Sequence, residues 1–152
     1  MEVYRLSREK FAATLSGKGA AIKGARWNSV GVEIIYTTAN RSLAMAEVAV
    51  HFTLATLPSD YMMLTIFIPD DISLQKLNVP DLPTDWNTFP HPSTTQAIGD
   101  QFIADNKYCV LQIPSAVTQG DYNLLINPNH PDFKRIKIIK PEKFPFDKRI
   151  FK

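Results

Sequence analysis

The chain has 152 residues, a formal net charge of +2, 45% hydrophobic and 21% charged residues, and one cysteine. That length suits one domain with room for a core, and a charged fraction near the ~25% of ordinary globular chains argues against disorder. A lone cysteine excludes a disulfide framework, +2 is too small to argue for nucleic acid or an anionic membrane, and no run approaches the ~18 apolar residues of a spanning helix.

Taken in chain order, residues 1–6 alternate apolar and polar side chains as a short strand does. Residues 16–31 hold four of the six glycines and predict a loop with a special backbone path. The β-branched and aromatic run 33–38 predicts a strand. Asn40 is placed to cap a helix running from Arg41 to about Thr56, closed by Pro58. The continuous apolar run 61–68 predicts a central strand buried on both faces, and residues 69–92, with five prolines, a long excursion of the functional or peripheral kind. A second helix is expected from Thr94 to Asp105, then strands at 108–113, 122–126 and 135–139. The expected class is therefore α+β, a compact single domain over residues 1–152, strand-rich with two main helices. The N-terminus lacks the apolar stretch of a signal peptide, so a cytoplasmic location is expected. His51, His91 and His130 lie far apart in no ligand spacing, so no metal site is expected.

A few residues break the local pattern. Glu47 shares a helix face with Leu43, Val50 and Leu54, while Met45, Val48 and Phe52 cover the opposite face. On that pattern the helix is apolar nearly all round and should be buried, and a carboxylate there must be paired, hydrogen-bonded or protonated. A purely structural Glu47 and a functional one both remain open. Arg26 and Trp27 end a glycine-bearing loop, where an arginine fork beside an aromatic face suits a planar, phosphate-bearing ligand or, as readily, a core-edge stack. Arg5, between Tyr4 and Leu6, poses the same question. Ser115 follows Pro114 at a strand end, outside any esterase elbow, and Asn127-Pro128 reads first as a turn. The Rossmann and Walker A glycine motifs are missing.

These residues fall within segments whose order resembles the RES domain, the toxin half of a bacterial toxin–antitoxin pair: VYRL at 3–6, GARWN at 24–28, IIYTT at 34–38, SLAMAE at 42–47, PSAV at 114–117, NLLINP at 123–128 and FDKR at 146–149. Leu124 departs from the family, where an aromatic often follows the Asn. The resemblance implies an ADP-ribosyltransferase-like fold and an activity that breaks the nicotinamide–ribose bond of NAD+, with phosphate, water or a protein as acceptor. NAD+ would be a consumed substrate, with no cofactor. By the same resemblance Arg26, Glu47 and Ser115 are the catalytic residues, and Arg5, Trp27, Tyr36 and Asn127 are expected to bind NAD+. The implied partner is a cognate antitoxin, a helix-turn-helix protein of the Xre-like kind. No direct contact with nucleic acid or membrane is expected, and a homodimer is left open. The alternatives are a mono-ADP-ribosyltransferase acting on a host protein and a non-enzymatic binding module in which Arg26 and Glu47 form a structural pair.

Overall fold

The computed structural model describes residues 1–151. Seven strands form one sheet: β1 (Glu2–Arg8), β2 (Ile35–Thr38), β3 (Tyr61–Phe67), β4 (Leu74–Lys76), β5 (Val110–Pro114), β6 (Tyr122–Ile126) and β7 (Lys137–Lys143). Their order across the sheet is β4-β5-β6-β2-β1-β3-β7. Only β4 and β5 run parallel; every other neighbouring pair is antiparallel. Among the described residues three α-helices, α1 (Lys18–Lys23), α2 (Arg41–Ala49) and α3 (Ser93–Asp105), and four short 3-10 turns complete the domain.

Because successive strand residues point to opposite faces, the register sorts the core. Val3, Leu64, Ile66, Leu124 and Ile126 build one continuous apolar cluster on the first face, covered by loop residues such as Ile72 and Ile136. The second face carries two separate clusters. Trp27, Trp86 and Phe102 sit over Leu111, Ile113 and Leu125 on one side, and Ala44 of α2 sits over Leu6 and Met63 on the other. Between them the same face presents Tyr36, in register with Leu125, and Thr38, in register with Asn123. A polar strip is thus left open between two apolar platforms.

Two local devices set the walls of that strip. Asn40 caps α2 by accepting the Leu43 N–H at 2.8 Å, which starts the helix where the sequence predicts. Gly99 lets α3 lie directly on the Trp27 backbone, since a Cβ there would stand 1.6 Å from the Trp27 carbonyl oxygen.

Several expectations need correction. The glycine-rich segment contains α1, a short helix that ends at Gly24, whose φ of 70° is open to glycine. α2 stops at Ala49 rather than near Thr56, because Thr53 and Thr56 close a turn in which the Thr56 hydroxyl accepts the Thr53 N–H at 2.9 Å. Nor is the segment buried all round: within α2 only Leu43 and Ala44 are buried, and past its end Val50 is 60% and Leu54 48% exposed. β3 is buried on both faces through Met63–Ile66, yet it lies next to the sheet edge, flanked by β1 and the outer strand β7. β4, inside the proline-rich excursion, was not expected, and β7 begins at Lys137 because residues 131–135 form a 3-10 turn.

Candidate active-site cleft

A cleft of about 770 Å³ opens over the polar strip, within the roughly 300–1,000 Å³ typical of ligand pockets. Arg26, Trp27, Tyr36, Glu47 and Asn123 form its base and sides, and Val50, His51, Asn87, Phe89, His91 and Val117 its rim.

Glu47 stands half-buried in the last turn of α2. One carboxylate oxygen, Oε1, accepts from the Ser115 hydroxyl and from the Asn123 amide, each at 3.0 Å. The other, Oε2, takes no hydrogen bond from the described residues. Ser115 is 2% exposed, and its Oγ accepts the backbone N–H groups of Val117 and Thr118 at 3.1 and 3.0 Å. With both lone pairs occupied, its single hydrogen is committed to Glu47. Ser115 is not on the cleft lining. Its geometry is that of a group that orients the carboxylate rather than one that attacks a ligand.

Arg26 faces Glu47 from the loop after α1. Its Nη1 donates to the carbonyls of Trp86 and Thr88, both at 2.8 Å, which ties the proline-rich excursion to the cleft wall. Nε and Nη2 have no protein partner among the described residues. Burial lowers the Arg26 pKa, and the charge of Glu47 acts in the opposite direction. No ion pair within 4 Å joins the two among the described residues. The structural pair considered from sequence is therefore not formed. Opposite charges face each other across a space instead.

Tyr36 supplies a fixed aromatic wall. Its hydroxyl donates to Asn28 Oδ1 at 2.6 Å and accepts the Trp27 N–H at 3.1 Å. Burial drives its pKa upward, which keeps the phenol neutral. Asn28 is itself fully buried and donates to the carbonyls of Ala20 and Val32, so the wall continues into α1 and its loop. Trp27 is 1% exposed; most of it belongs to the core cluster with Trp86.

Two expected binding residues are not brought to the cleft. Arg5 is in register with Leu64, on the sheet face opposite Tyr36, and donates to the Tyr36 carbonyl at 3.2 Å. Burial lowers its pKa. It braces β2 from beneath. Asn127 lies past the far end of β6, roughly 13 Å along the strand from Asn123. Its amide donates to Asn106 Oδ1 at 2.7 Å and its oxygen accepts the Asn129 N–H at 2.9 Å, so the turn consumes both ends. Sequence reasoning missed Asn123. The available signal was a polar residue at the inward parity of Leu125 within the run YNLLI, inside the very segment that carried the resemblance.

Among the described residues no group of three or more His, Cys, Asp or Glu is placed to hold a metal ion, and no helix is long and apolar enough to cross a membrane.

Comparison with known proteins agrees with this architecture. The chain matches the RES domain over residues 2–147. It is 37% identical over 143 residues to the Prs ADP-ribosylating toxin of Sphingobium sp. (strain YBL2), covering 93% of this chain and 89% of that protein. It is 34% identical to Toxin Res of Yersinia enterocolitica, over 99% of both chains. It is also 37% identical to Toxin Res of Photorhabdus laumondii, over 100% of this chain and 98% of that one. A chain in the crystal structure of the M. tuberculosis MbcT-MbcA toxin-antitoxin complex superimposes with a TM-score of 0.77 at 22% identity, covering 95% of this chain and 84% of that chain. That likeness shows the fold, the ADP-ribosyltransferase-like α+β domain that the resemblance implied. The chain belongs to the RES domain family, the toxins of toxin–antitoxin systems.

Proposed function

We propose that this toxin acts in the cytoplasm by consuming NAD+, breaking the bond between the nicotinamide nitrogen and ribose C1′ with phosphate or water as acceptor. The observation that carries the reading is the pair Arg26 and Glu47 on facing walls. Each is anchored at one end by the protein, each has polar atoms to spare at the other, and neither neutralises its opposite. A dinucleotide needs such a division: a cation for its pyrophosphate and an anion for the sugar that becomes positive.

The chemistry asks little acid catalysis. As the glycosidic bond breaks, its electron pair leaves on the nicotinamide nitrogen, which turns from cationic to neutral, and C1′ acquires oxocarbenium character. The free donors of Arg26 fit a pyrophosphate oxygen. Oε2 of Glu47, left without a partner among the described residues, accepts a ribose hydroxyl and opposes the developing charge in this reading. Ser115 and Asn123 hold that oxygen in place by gripping its twin. Tyr36 and the edge of Trp27 flank the base. The acceptor then adds to C1′; if it is water, its proton is released to solvent.

Incubating the purified protein with NAD+, with and without phosphate, and identifying the products tests this directly. Release of nicotinamide with free or phosphorylated ADP-ribose is expected, and intact NAD+ after prolonged incubation would overturn it. A second reading, transfer of ADP-ribose to a protein, is favoured by the name of the Sphingobium relative. It predicts labelled ADP-ribose on a protein in place of the free product. The partner we propose is a cognate antitoxin of the helix-turn-helix, Xre-like kind that blocks the cleft, in keeping with the toxin–antitoxin complex of the structural neighbour. Co-expression with such a protein should suppress NAD+ loss.

A further inference from the structure

Asn123 is committed on one side and open on the other. Its Nδ2 donates to Glu47 Oε1 at 3.0 Å. That orientation turns its Oδ1 away from the carboxylate. Oδ1 is buried and, among the described residues, is the one buried side-chain polar atom without a hydrogen-bond partner. The residue is 7% exposed and lies on the cleft lining. A buried amide oxygen without a donor is costly, and native structures rarely leave one so. Asn123 lines the cleft, so a small shift of the atoms that cover Oδ1 lets a donor on the ligand complete it.

The place of Asn123 in the sheet narrows the donor. It sits two residues from Leu125 on β6, and Leu125 is in register with Tyr36, so Oδ1 and the aromatic wall share one face at diagonal-neighbour distance. An aromatic wall beside a lone acceptor suits a planar ring bearing an amide. The ribose hydroxyls already have an acceptor in Glu47 Oε2. We propose that Asn123 determines specificity for the leaving base, its Oδ1 accepting a hydrogen bond from the carboxamide NH2 of nicotinamide while its Nδ2 steadies Glu47. The inference rests on the NAD+ reading above.

Nicotinic acid adenine dinucleotide is the probe, because its carboxylate offers Oδ1 no donor and adds an anion near Glu47. Two quantities are compared for it and NAD+: kcat/KM with the parent, Asn123→Ala and Asn123→Asp, and dissociation constants on the Glu47→Gln protein with and without Asn123→Ala. The second needs no turnover. The parent should prefer NAD+ by roughly tenfold or more, and Asn123→Ala should bring the two dinucleotides within about threefold while slowing NAD+ cleavage. Asn123→Asp keeps an acceptor but loses the donor to Glu47, so cleavage should fall while the preference for NAD+ survives. If melting curves show that the alanine variant does not fold, Asn123→Ser replaces it.

An equal fall on both dinucleotides with the preference intact would make Asn123 a support for Glu47 alone and overturn the proposal. So would a parent indifferent to the acid analogue. A donor requirement that tracks 2′-deoxyribose NAD+ instead of the acid analogue would assign Oδ1 to the ribose, and likewise overturn it. Absence of cleavage by the parent, with the binding preference present and lost in Asn123→Ala, would remove the catalytic reading and leave this one standing.

Discussion

Replacing Ser115 by alanine separates what this hydroxyl does for the fold from what it does for Glu47. It removes the acceptor for the N–H groups of Val117 and Thr118 and one of the two donors to Glu47 Oε1. An unsatisfied buried donor costs about 1–3 kcal/mol. Val117 is 37% exposed, so water can reach this turn, and the low end applies to each N–H. The loss is then about 2 kcal/mol, or roughly 4–8 °C in Tm for a domain of this size. Activity should suffer beyond that. With only Asn123 left to hold it, the carboxylate can swing, and displacements of ~1 Å cost up to about 100-fold. A fall of roughly 10- to 100-fold in kcat is expected, with KM for NAD+ changed less than about threefold, because the proposed hold of Arg26 on the pyrophosphate is untouched. Nicotinamide release at temperatures well below the variant's Tm measures it. A kcat within twofold of the parent would refute the orienting role, and a rise in KM at constant kcat would show that Ser115 touches substrate instead.

Three further outcomes follow from particular contacts. Gly99→Ala places a methyl where the Trp27 carbonyl stands, 1.6 Å away, so α3 must move. A loss of about 3 kcal/mol or more is expected in denaturant unfolding, and a Tm within about 3 °C of the parent would contradict the packing described. Asn127→Ala should destabilise by about 1–3 kcal/mol while leaving kcat/KM of the folded protein within about twofold, since its amide serves the turn after β6. A larger kinetic loss would restore it to the site. The Cys109 thiol is pushed up to about 11, by burial first and then by Asp132. At pH 8 only about one molecule in a thousand then carries the thiolate. A thiol reagent should leave native protein unlabelled over an hour and label it promptly in denaturant; prompt labelling of the native protein would contradict the buried placement.

What the sequence made legible follows the reach of each signal. The capped start of α2, the apolar run of β3 and the oddity of Glu47 are local patterns. The start of α2 and the span of the β3 run agree with expectation, although β3 neighbours the sheet edge and Glu47 is only half-buried. Arg26 and Tyr36 stood out through loop composition and resemblance, and the fold sets them on one cleft. The failures concern facts that only register and tertiary packing decide. Arg5 and Tyr36 both occupy strands, yet the parity of β1 against β3 sends Arg5 to the opposite face. Asn123 lies on β6 and Asn127 just past its end, four residues on, and only the pairing of β6 with β2 shows which end meets Glu47. The end of α2 was overestimated because apolar periodicity continues past Ala49, whereas a threonine turn takes over the backbone. Val50, called for by periodicity as core, instead borders the cleft mouth.

The central claim is that the charge of Glu47, held opposite Arg26, drives cleavage of NAD+, and Glu47→Gln isolates that charge. The glutamine oxygen can accept the same bonds from Ser115 and Asn123, so the fold should survive with Tm within about 3 °C. What disappears is a unit charge; at the ~5 Å that a carboxylate hydrogen-bonded to the ribose would stand from C1′, it is worth about 3 kcal/mol at an effective dielectric of ~20. Nicotinamide release from NAD+ by the folded variant should therefore fall by roughly 10²- to 10³-fold. Turnover by a folded Glu47→Gln protein within about threefold of the parent would contradict the account.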